Sequence, residues 1–119
     1  MAQKPTPQWQ PISQLLLIAH HIDGMLKAAQ EEYQTLLPAK SKPHVLDNYT
    51  VSRVIQVFTD QQNDLWLFDE QLKRWKSGSL TGEQQAEIER LVSQITKLQE
   101  QITAILVLAN ERGKAQSRK

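Results

Sequence analysis

Residues 88–109, IERLVSQITKLQEQITAILVLA, decide the fold. Ile88, Leu91, Ile95, Leu98, Ile102, Ile105 and Ala109 step alternately by three and four residues. That spacing lays an apolar stripe along one side of an α-helix, whereas a strand would need a period of two. Just upstream, Thr81 and Gln84 have the spacing of a capping box, in which two side chains reciprocally satisfy free amides at a helix start. Downstream come Gly113 and a polar tail rich in Lys and Arg, so this helix is expected over about 82–112.

The same alternation recurs twice towards the N-terminus. Val51, Val54, Phe58, Gln61, Leu65, Phe68, Leu72 and Trp75 form one stripe, with Gln61 its only polar member. Asp47 or Asn48 can cap its start and Ser77, Gly78 and Ser79 end it, which predicts a helix over 47–76. Ile12, Leu15, Ala19, Ile22, Leu26, Ala29, Tyr33 and Leu36 form another, opened by Pro11 and closed by Pro38, which predicts a helix over 12–37. Gly24 sits inside it at a cost of roughly 1 kcal/mol relative to Ala.

A stripe of period 3.5 stays on one side only if helices wrap about each other with a left-handed twist of about 20°. The short link 77–81 forces the second and third helices antiparallel, and the longer link 38–46 returns the second helix alongside the first. The fold class expected is therefore all-α, an elongated antiparallel three-helix bundle that dimerisation could complete. The organisation read from the chain is a flexible arm over 1–10, a single domain over 11–112 and a basic flexible tail over 113–119.

Composition narrows the class of function. At 119 residues the chain has room for one modest core, and Lys+Arg 14 against Asp+Glu 13 gives a net charge of +1, without the excess of a strongly basic nucleic-acid binder. The absence of cysteine removes a disulfide framework and thiolate chemistry and fits a reducing compartment, so the cytoplasm is the expected location. Apolar runs such as 15–19 are far too short to span a bilayer, and no membrane association is expected.

A narrow seam of two positions per heptad should leave the other positions polar. Leu16, Leu17 and Ile18, then Trp66 and Leu67, then Val107 and Leu108 depart from that rule. Surplus apolar surface points to protein–protein association, with a second copy as a homodimer or with another helical protein. A rival reading uses the basic end formed by the 38–46 link and the tail, where Lys40, Lys42, Arg53, Arg112, Lys114, Arg118 and Lys119 would gather to contact phosphates of a nucleic acid. No aromatic interleaves the tail for base stacking, and cations near a helix C-terminus also serve its dipole.

Enzymatic chemistry has little to rest on. His20, His21 and Asp23 lie close together, but counting from Ala19 puts both His on outward positions. Glu31, Glu32, Glu83, Glu87 and Glu89 would be the ligands of a helical metal-dependent hydrolase, yet they fall on polar faces. No phosphate-cradling loop or nucleophile elbow occurs, and no catalytic residue, cofactor or metal is assigned. Gln61 reads as a buried amide that sets register or oligomeric state.

Overall fold

The computed structural model describes the backbone of residues 8–40 and 47–117, and the side chains of 8–38 and 47–111. Side chains cap the first turns of the second and third helices, and the first follows a proline, whose fixed φ suits a helix start and whose missing N–H is not needed there. Pro11 precedes a 3-10 turn, Ile12–Gln14, which runs into α1, Leu15–Leu36. Asp47 accepts from the amide of Thr50 at 2.7 Å and starts α2, Asn48–Lys76; the same bond holds its carboxyl below the ordinary range. Thr81 and Gln84 exchange both capping-box bonds, at 3.0 and 3.1 Å, ahead of α3, Gly82–Ser117. Lys73, Arg74 and Lys76 fill the last turn of α2, where positive charge opposes the dipole.

The result is the antiparallel three-helix bundle expected from the three stripes. α3 is the shared wall: it packs against both α1 and α2, whereas α1 and α2 scarcely approach each other. At about 1.5 Å per residue the 36 residues of α3 span about 54 Å, which matches the 58 Å long axis of the molecule. The radius of gyration, 17.4 Å, exceeds the value of about 13–14 Å for a compact chain of this length. Burial follows the stripes, with Ile22, Leu36, Leu72, Ile88, Leu91, Leu98, Ile102 and Ile105 sealed inside. Two clusters share the core. One joins Leu26, Phe58, Leu65, Leu98 and Ile102 towards the 38–47 end; the other joins Leu15, Ile22, Leu72, Trp75, Leu91 and Ile95 towards the 77–81 turn.

Two helix ends differ from the sequence expectation. α1 stops at Leu36 and passes into a 3-10 turn, Leu37–Lys40, because a tighter turn admits Pro38 where a continued α-helix would lose a hydrogen bond. α3 continues through Gly113 to Ser117, five residues past Arg112. No described glycine has a positive φ, so Gly113 does not form the left-handed cap that would end a helix.

A polar tie fixes α1 on α3. The guanidinium of Arg90 donates to both oxygens of Asp23, at 3.0 and 2.9 Å, and to both oxygens of Glu87, at 2.7 and 2.8 Å. Gln94 adds a bond to Asp23 at 3.1 Å. Arg90 holds the carboxyls of Asp23 and Glu87 below their ordinary range. Depressed carboxylates stabilise the fold above their unfolded values and lose that contribution as pH falls through the folded ones. Arg90 and Asp23 are about two-fifths exposed, so solvent limits such a pair to below about 1 kcal/mol. The melting temperature should therefore drop below about pH 4, and Asp23→Asn should flatten part of that slope. Equal acid slopes in the two proteins would show that the tie contributes nothing.

Candidate functional site

Because α1 and α2 are each held by α3, the space between them is closed or open according to what fills it. At the N-terminal end of α1 residues 8–10 cross over to α2 as a strap. The Gln10 carbonyl accepts from the Trp75 indole Nε1–H at 2.8 Å and from Gln71 Nε2 at 3.3 Å, while the Gln10 amide donates to Gln71 Oε1 at 2.6 Å. Trp9 lies edge-on to Trp66 at 6.5 Å between ring centroids, and Arg74 stacks over Trp9 at 4.3 Å. Residues 8–10, read from sequence as the end of a loose arm, thus lie against α2. Gln71, which is 5% exposed, is the buried polar residue that makes this possible.

Towards the other end α1 and α2 part around a cleft of about 510 Å³. Its lining is largely apolar, from Ala28, Val54, Val57 and Phe58, with Tyr49 and Thr50 beside them. Glu32 stands on the α1 wall and Arg53 on the α2 wall, and among the described residues neither makes an ion pair. Gln61 also lines the cleft, and its Oε1 is buried without a hydrogen-bond partner. An amide in that condition costs about 1–3 kcal/mol. Among the described residues nothing satisfies this polar atom of the α2 stripe.

The seven surplus apolar residues divide. Leu16 is 80% exposed, Leu17 65%, Trp66 56% and Val107 52%. Ile18 and Leu108 turn far enough inward to pack against the two core clusters. Leu67 is half-buried, in a small pocket with Gln8, Trp9, Ile18 and Phe68. Val107 borders a separate groove of about 490 Å³ between α2 and α3, with Gln62, Thr103 and Leu106. The exposed members lie on several faces and do not make one patch.

The other candidate residues are dispersed. His20 and His21 are exposed; His21 packs on the Phe68 ring at 5.5 Å beside α2, while Asp23 is committed to Arg90 on α3, so the trio has no common focus. Glu31, Glu83 and Glu89 are exposed, Glu87 binds Arg90, and no described group of three His, Asp or Glu residues is placed to hold a metal ion. Among the described residues no helix is long and apolar enough to cross a membrane. Of the basic end, Arg53 is exposed and opens onto the cleft. Lys42, Arg118 and Lys119 lie outside the described residues, and the side chains of Lys40, Arg112 and Lys114 lie outside the described side chains.

No family model, curated protein or solved structure matches the chain. The site features that sequence reasoning missed are the cleft and the strap. Tyr49 and Val57, both exposed at the cleft, fall in an ordinary amphipathic pattern and carry no signal of their own. Gln71 lies one residue before the stripe position Leu72, and its local spacing does not set it apart from other off-stripe glutamines.

Proposed function

We propose that this protein works by association with other protein surfaces and is not an enzyme. The observation that carries this reading is the exposure of Leu16, Leu17, Trp66 and Val107 on helices whose seams are already filled. Four large apolar side chains standing in water on a chain of net charge +1 lower the cost of bringing two surfaces together, because burying them is favourable and little charge repulsion opposes it. The partner is a second copy or another helical protein.

Light scattering at high micromolar concentration tests self-association, and binding to candidate helical partners tests the alternative. The mass is expected to exceed that of a monomer. Leu16→Glu with Trp66→Glu, on a chain that keeps its helicity, is expected to weaken association at least tenfold. A wild-type monomer that also retains no partner would remove the reading.

A further inference from the structure

We infer that the cleft between α1 and α2 is the docking face for a second copy of this chain, the two copies related by a two-fold axis running along the cleft. This rests on the association reading above and names a second copy as the partner; none of Leu16, Leu17, Trp66 and Val107 lines the cleft, so Leu16→Glu with Trp66→Glu tests the broader reading and the cleft variants below test this one. Three independent features point there.

The first is charge. Glu32 and Arg53 stand on opposite walls of one cleft, without an ion pair among the described residues. A two-fold axis parallel to the helices lays α1 of each copy over α2 of the other and keeps residues at the same level. Glu32 then faces Arg53 of the second copy, and Arg53 faces its Glu32, so one juxtaposition makes two ion pairs. An unrelated partner would have to supply both opposite charges at that spacing; a second copy already has them.

The second is the close approach that α1 permits. A Cβ added at Gly24 would meet nothing within 4 Å, so no contact among the described residues explains a glycine there despite its cost in a helix interior. Leu17, Gly24 and Ala28 recur at intervals of seven and four on one helical stripe, and Ala28 lines the cleft. The small residues let a second helix come near, and Leu17 supplies an apolar side chain beside them.

The third is Gln61. Its Oε1 is buried without a hydrogen-bond partner among the described residues, and a turn of the side chain towards the axis would let the amide, both donor and acceptor, pair with its own symmetry copy. Together α1 and α2 of two copies form a four-helix arrangement that covers the exposed Val57 and Tyr49, as helix bundles do with antiparallel neighbours.

The test is charge reversal and rescue, read by sedimentation equilibrium over a range of concentrations. Glu32→Arg alone and Arg53→Glu alone each set like charges against each other twice, and each is expected to raise the dimer dissociation constant at least tenfold. Glu32→Arg with Arg53→Glu together restores opposite pairs and is expected to return it to within about threefold of wild type. Circular dichroism and melting curves on the same samples check that the bundle is intact. If either single variant misfolds, Val57→Asp, on an exposed cleft position, takes its place and is expected to abolish the dimer. A wild-type dimer indifferent to all of these overturns the cleft as interface and leaves association standing through other surfaces. A wild-type monomer overturns the second copy as occupant, and the search for a hetero-partner then decides the broader reading.

Discussion

Leu98→Ala is expected to destabilise the protein by about 2–5 kcal/mol, lowering the thermal midpoint by about 10 °C or more. Leu98 is fully buried at the middle of α3, in the cluster that takes Leu26 from α1 and Phe58 and Leu65 from α2. Truncation loses the transfer free energy of the removed atoms and leaves a void. In a bundle whose helices all pack on each other, two walls could close around such a void. Here α1 and α2 scarcely approach each other, so the void opens under both at once and neither can follow inward without leaving α3. Val92→Ala, on a partly exposed position of the same helix, is the control and should cost well under 1 kcal/mol. Chemical denaturation of both variants measures the contrast. A loss below about 1 kcal/mol for Leu98→Ala would mean that α3 is not the shared wall.

Trp75→Ala should cost about 3–5 kcal/mol, and Trp75→Phe about 1 kcal/mol. The first removes a large side chain that is only 6% exposed in the second cluster, and with it the indole that donates to Gln10. The second keeps most of the apolar volume but deletes that donor, leaving the Gln10 carbonyl with the longer bond from Gln71. The two substitutions therefore separate packing from the strap. Amide exchange at Gln10, whose N–H donates to Gln71, reports the strap itself. In Trp75→Phe the exchange should quicken at Gln10 while the central amides of α3 stay protected. A uniform rise across both regions would show only a lower global stability and no local clasp.

The existence of the three helices was legible residue by residue. Every apolar member of the α3 stripe from Ile88 to Ala109 is buried, and the Thr81–Gln84 pair makes both bonds its spacing implied. Local chemistry is enough there, because a cap acts within one turn and a stripe acts through its own period. The ends were less legible. Gly113 stops a helix only if the backbone adopts a left-handed conformation, and the residue type alone does not dictate that. The surplus positions were half legible: excess apolar residues could be counted, but Ile18 and Leu108 are drawn to the core and Leu16, Leu17, Trp66 and Val107 are not. Which way an off-seam side chain turns depends on the neighbour's crossing angle, and no single stripe contains it.

By itself the sequence determined that this protein is three long helices in antiparallel order, since periodicity, caps and link length are properties of contiguous residues. Tertiary structure alone decided that α3 serves as the common wall, that Trp75 and Gln71 strap residues 8–10 over one end, and that Glu32, Arg53 and Gln61 stand together around a cleft at the other. The physical reason is distance along the chain. Gln10 meets Trp75 across 65 residues, and Arg53 lies 21 positions from Glu32 on the opposite wall of the cleft, so neither juxtaposition leaves a trace in local spacing.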